Sequence, residues 1–249
     1  MSLKITLEGH PALDLIFGRE ANAKARQRAL DQSLYREALV KRDFAMGAAL
    51  IRMGADPLYD DHAENGLAKS GPTVGETALT LALHNLPLEP DFGEKTLLAD
   101  LGLFFDAAFA SPNLNVRFAL LGGTTPLMLA IRNDNANTRH LRLVERLMPL
   151  SDVDAADNTE HTALMHALIY RHKDACALLA PVSNIELRNC SGKTTLELAL
   201  ELAGANRPHF EKEKQEILDI LIAETERREL MRASSIANGS GQAKAGIRI

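Results

Sequence analysis

Along this chain the apolar positions gather into short runs at helical spacing, and one run returns in variant form. It reads Thr124-Thr125-Pro126-Leu127-Met128-Leu129-Ala130 and recurs as Glu76-Thr77-Ala78-Leu79-Thr80-Leu81-Ala82, His161-Thr162-Ala163-Leu164-Met165-His166-Ala167 and Lys193-Thr194-Thr195-Leu196-Glu197-Leu198-Ala199. In every copy a Leu and an Ala stand three residues apart, which places them on one face of a helix. The Thr before them can cap that helix, its hydroxyl accepting from an amide that has no partner inside the first turn. Taken as markers, Thr77, Thr125, Thr162 and Thr194 are 48, 37 and 32 residues apart. Between them the pattern predicts a helix, a turn, a second helix and a polar hairpin.

The hairpins are supplied by Gly54-Ala55-Asp56-Pro57, Pro112-Asn113-Leu114-Asn115, Ser151-Asp152-Val153-Asp154 and Ser183-Asn184-Ile185-Glu186. Asp and Asn favour such turns because their side chains bond to backbone amides nearby. A unit of this kind cannot bury its apolar face alone, and stacking consecutive units solves the problem. The expected fold class is all-α, a solenoid of stacked helical hairpins.

The stretch from Asp152 to Leu164, repeated from Asn184 to Leu196, resembles the ankyrin repeat family. The match is good over residues 111 to 200 and looser before. An earlier unit is visible in Ser33 to Ala38 followed by Ala48 to Asp56. The expected organisation is an N-terminal capping segment over 1–29 and an ankyrin-like array over 30–205, with units starting near 30, 74, 122, 159 and 191. A capping helix then completes the last unit over 206–232, with Ile217, Leu218, Leu221, Ile222 and Leu230 along one side, and a mobile tail follows over 233–249. Departures from the regular interval place extra residues near 58–74, 84–95 and 133–139.

Composition narrows the chemistry. Aromatic residues are 4% of the chain with no Trp, which suits helix-on-helix packing better than an aromatic-lined pocket. A formal charge of -5 argues against a phosphate-binding surface and against nucleic acid as a partner. Cys176 and Cys190 are too few for a disulfide framework or a four-ligand zinc site and read as small buried or half-buried residues. Met1 to Glu20 shows no basic segment followed by an apolar run, and no stretch approaches the roughly 20 apolar residues that cross a bilayer. A monomeric cytoplasmic protein without membrane contact is expected, although export that uses no such signal would leave no trace.

Three constellations invite a chemical reading. Asp60-Asp61-His62-Ala63-Glu64-Asn65 gathers oxygen and imidazole groups but lacks the glycine and terminal glutamate of an EF-hand loop. Gly192-Lys193-Thr194-Thr195 imitates the end of a phosphate-binding loop, yet Leu187 stands where the first glycine is required. His161, His166 and His172 are five and six residues apart, whereas helical metal pairs need three or four. Each is better explained structurally: a solvated loop, a hairpin turn before a helix, and packed histidines. No catalytic, cofactor or metal residue is singled out, and no enzyme is expected.

Resemblance to the family implies that another protein is the partner, contacted by finger tips and the exposed side of each first helix. Carried over, that surface comprises Glu76, His84, Thr124, Arg132, Asn133, His161, Tyr170, Arg171, Lys193 and Glu201. Tyr170 and the arginines are the expected energetic anchors. A dedicated inhibitor or immunity protein, and a secreted effector that binds host proteins, are the narrower alternatives.

Overall fold

Each marker threonine does start a helix. In the computed structural model Thr77, Thr125, Thr162 and Thr194 are all buried. Their hydroxyls accept from the amides of Thr80, Met128, Met165 and Glu197 at 3.2, 3.3, 3.4 and 3.3 Å. One orphan donor per helix is thereby satisfied, and the register read from the sequence is the register of the fold. The structure describes residues 23–59, 77–84, 94–110, 118, 121–132, 138–204 and 211–244. The chain divides into two compact units, Met1–Asn137 and Thr138–Ile249.

The first unit contains α1 (Ala23–Tyr35), continued by a π-helical turn over Arg36–Lys41, then α2 (Phe44–Arg52), α3 (Ala78–His84), α4 (Glu94–Ala108) and α5 (Pro126–Arg132). Arg42, with φ 56°, breaks the π turn, and Asp43 restarts the chain as a cap for α2 by accepting from the Met46 amide at 2.9 Å. α2 packs on α1 and α4, and α3 packs on α4 and α5. The α2–α4 contact turns on Phe44 and Phe104, whose rings meet edge to face at 5.6 Å. Gly47 permits this approach, since a Cβ there would lie 3.1 Å from the Phe104 ring. The Gly54-Ala55-Asp56 finger is tied back to α1, where Asp31 accepts from the Asp56 amide at 2.7 Å.

The second unit contains α6 (Thr138–Leu147) with a short 3-10 turn over Met148–Leu150, α7 (Ala163–Ile169), α8 (Lys173–Leu179), α9 (Thr195–Gly204) and α10 (Glu211–Lys244). α7 pairs with α8 and α9 with α10; first helix stacks on first helix, α7 on α9, and second on second, α6 on α8 and α8 on α10. Leu164, Leu168, Cys176, Leu179, Ile217, Leu218 and Leu221 form its buried seam. Burial pushes the Cys176 thiol up to about 12, so it stays protonated and acts as a small apolar residue.

α10 is locked by charge as well as by packing. The Arg228 guanidinium donates to the Ala180 and Ser183 carbonyls at 2.7 and 2.8 Å, covering the C-terminal end of α8. Buried Glu224 holds that arginine at 2.6 Å and Arg227 at 2.7 Å. The hydrogen bonds from Arg227, then those from Arg228, outweigh the cost of burial and bring the Glu224 carboxyl down to about 2.

Three expectations change. α10 runs to Lys244 instead of ending at Arg232, although every side chain from Glu229 to Ser235 is exposed. Apolar periodicity reports burial, whereas a helix persists wherever its own bonds continue, so the sequence pattern stopped too soon. Leu230 and Ile222 are exposed, and only Ile217, Leu218 and Leu221 of the anticipated stripe are covered. Cys190 is exposed and not half-buried, because it sits at a finger turn.

Candidate partner-binding surface

Two consecutive fingers of the second unit build the best-defined surface. In the finger over 151–161, here the Asp157 finger, Ala156 and Thr162 pair in an antiparallel bridge and Glu160 closes the turn with φ 59°. One Asp157 carboxylate oxygen accepts from the Thr159 amide at 2.8 Å, the His161 amide at 3.0 Å and the Thr159 hydroxyl at 2.6 Å. The other meets His166 Nε2 at 2.9 Å. Burial pushes the Asp157 carboxyl up, but these hydrogen bonds together prevail and hold it below its ordinary value.

The finger over 183–193, here the Asn189 finger, repeats the plan with an amide in place of the carboxylate. Asn189 Oδ1 accepts from the Ser191 and Lys193 amides at 3.0 and 3.1 Å, and Gly192 makes the turn with φ 73°. Thr194 and Glu197 then form a reciprocal capping box, with the Thr194 amide donating to the Glu197 carboxylate at 2.8 Å. Three bonds tie one finger to the next. The Cys190 amide donates to the Thr159 carbonyl at 3.1 Å, the Asn184 amide donates to Asp154 at 2.7 Å, and Asn189 Nδ2 meets His161 Nε2 at 3.1 Å.

Behind the Asp157 finger a file of rings follows α7. His161 stands edge to face on His166 at 6.0 Å, His166 stacks on Tyr170 at 6.1 Å, and Tyr170 stacks on His172 at 6.4 Å. His166 is buried, while His161, Tyr170 and His172 are half-exposed. Beside α9 the chemistry differs: half-buried Lys193 pairs with exposed Glu201 at 2.5 Å, and Arg188 with Glu197, both exposed, at 2.9 Å. Arg171, in the left-handed region at φ 61°, lines a cavity of about 250 Å³ with Leu168, Ile169, Ala199, Leu202, Lys214 and Ile217.

Of the ten residues read from the sequence, five fall in these two repeats. The structure brings His161 and Tyr170 onto one ring file and joins Lys193 to Glu201, with Arg171 at the cavity beside them. In the first unit Arg132 is exposed at the end of α5, its guanidinium 3.5 Å from the Thr124 hydroxyl. Thr124 itself is only 1% exposed, bridged to Phe118, and its hydroxyl donates to the Leu121 carbonyl, so its side chain does not offer a contact. Glu76 and Asn133 lie outside the described residues, as does the side chain of His84. So do the Asp60 to Asn65 cluster and most of the extra segments near 58–74, 84–95 and 133–139.

Asp157, Asn189, Arg188 and Glu197 were not singled out by the sequence reading. The Thr194-x-x-Glu197 spacing is a legible capping signature; the nine-residue gap between Asp157 and His166 carries no local signal. Among the described residues no three His, Cys, Asp or Glu side chains are placed to hold a metal ion, and no helix is long and apolar enough to cross a membrane.

The family description "Ankyrin repeats (3 copies)" matches residues 97–186 and 135–228, which together span more than half of the chain. No curated protein matches it. Repeats of this kind are generally protein–protein interaction modules and are typically non-catalytic. With its threonine-capped helices, successive polar fingers and first-on-first, second-on-second stacking, the chain belongs to the ankyrin repeat family.

Proposed function

We propose that this protein is a non-catalytic docking module that holds one partner protein against the Asp157 and Asn189 fingers and the exposed side of α7. The observation that carries this reading is the ring file. Half-exposed Tyr170 is fixed between His166 and His172, so a partner that covers it need not order a floppy side chain first. The tied fingers supply a stiff polar rim around it. His161, Tyr170, Arg171, Lys193 and Glu201 are the contacts proposed in this unit; Arg132, Glu76, His84 and Asn133 extend the proposal to the first.

The organisation that goes with it is five units starting near 30, 74, 122, 159 and 191, a capping segment before them, and a capping helix that completes the last. The protein works as a cytoplasmic monomer by occupancy, masking or scaffolding its partner. Affinity capture with the unaltered chain and with Tyr170→Ala, compared by quantitative mass spectrometry, tests the reading. One protein retained by the first and lost by the second supports it, and if that protein is a single enzyme the role is inhibition. A retained set that ignores Tyr170 overturns it.

A further inference from the structure

Asn189 is buried and its orientation is fixed, because Oδ1 already accepts from two backbone amides. Its NH2 group therefore faces His161 Nε2. An amide NH2 only donates, so Nε2 must present a lone pair, and in a neutral imidazole the proton then resides on Nδ1. From Nδ1 it is donated to the Thr159 hydroxyl at 2.6 Å, and that hydroxyl donates onward to Asp157 at 2.6 Å. The chain of bonds runs one way, from Asn189 through His161 and Thr159 to Asp157. Every donor has an acceptor only while His161 is neutral.

A proton added at Nε2 sets N–H against N–H. Turning the Asn189 amide to accept it would put the NH2 group against the Ser191 and Lys193 amides, exchanging one broken bond for two. We propose that His161 and Asn189 form a proton-operated latch between the two fingers, closed while the imidazole is neutral and open once it is charged. His161 is half-exposed, so solvent protons reach it.

The charged surroundings set how the latch opens. His161 meets the Asp157 carboxylate through its own amide and through Thr159, and His166 on α7; Glu160 precedes it in the chain, and the cations of the next finger, Lys193 and Arg188, are paired with Glu201 and Glu197. Asp157 attracts an imidazolium through Thr159, so the ring keeps its Nδ1 bond and releases the Nε2 side. The Cys190–Thr159 and Asn184–Asp154 bonds hold the fingers in their stack. Acid therefore loosens the finger tips without separating the repeats.

The latch is a property of the free chain, so its test does not depend on the partner reading. Nitrogen-15 NMR of the whole protein should find the Nδ1–H tautomer of His161 at pH 7.5. On acidification the Asn189 side-chain NH2 resonances should move with the same midpoint as the His161 ring. Exchange protection of the Ser191 and Lys193 amides, corrected for intrinsic rate, should fall about three- to tenfold. His161→Gln should remove this pH dependence. Asn189→Asp should reverse its sign, because a carboxylate accepts from a protonated Nε2. An Nε2–H tautomer at neutral pH, or Asn189 resonances that ignore the His161 titration, would overturn the proposal, and both readouts come from the unaltered chain.

Discussion

Met165 and Glu197 occupy the same place in two successive copies of one motif, and the first is fully buried while the second stands in water. The pattern holds along the helix. Leu164 and Leu168 are buried in the Thr162 copy, whereas their counterparts in the Thr194 copy are half-buried Leu196 and 52% exposed Leu200. Motif residues that build an interior seam in one repeat face solvent in the next, because no later repeat follows α9 among the described residues. The chain adapts by placing Glu at the Met position, where it caps α9 and meets Arg188. A repeat motif thus fixes where helices start, and the neighbours decide what each motif residue does.

The exposed sides differ in the same way. Along α7 a file of rings is held half-buried, and beside α9 flexible ion pairs stand in water. Rigid aromatic side chains carry binding energy, while solvated ion pairs contribute little beyond steering. Under the proposed docking role, the contrast would place affinity in the Thr162 copy and orientation in the Thr194 copy.

Leu164→Ala should lower unfolding free energy by roughly 2–5 kcal/mol, and Leu196→Ala by clearly less, as read from urea midpoints. Equal losses would erase the distinction between an enclosed and an outer repeat. Glu224→Gln should cost about 1–2 kcal/mol by weakening the hydrogen bonds from Arg227 and by releasing Arg228 from the end of α8. Because the folded Glu224 carboxyl lies below its unfolded value of 4.5, its contribution is whole above about pH 4.5 and lost as pH falls toward about 2. The variant should therefore lose less stability than the unaltered chain across that window in acid titrations of the thermal midpoint. Glu160→Gly should gain at most about 1 kcal/mol, since relief of a left-handed non-glycine residue is partly offset by a freer unfolded chain. Smallest of all, Lys193→Ala and Glu201→Ala should leave melting nearly unchanged.

The helix starts were legible because a capping threonine and the Leu and Ala behind it act within one turn, and local chemistry survives in local sequence. Asp157, His161 and Asn189 were harder. Their meaning depends on a hydrogen-bond direction passed between two fingers 28 residues apart, and no spacing rule records that. Thr124 misled for the opposite reason. Beside a finger it reads as exposed, but its bridge to Phe118 folds it inward. The continuation of α10 past Arg232 was missed because apolar periodicity reports burial, and the side chains from Glu229 to Ser235 are all exposed.

The most direct test of the account is calorimetric titration of the captured partner against the unaltered protein, Tyr170→Ala and Glu201→Ala, each first shown by circular dichroism to be folded. The account predicts that Tyr170→Ala weakens Kd by about tenfold or more while Glu201→Ala stays within about twofold. Unchanged affinity for Tyr170→Ala, or a larger loss at Glu201, would contradict it.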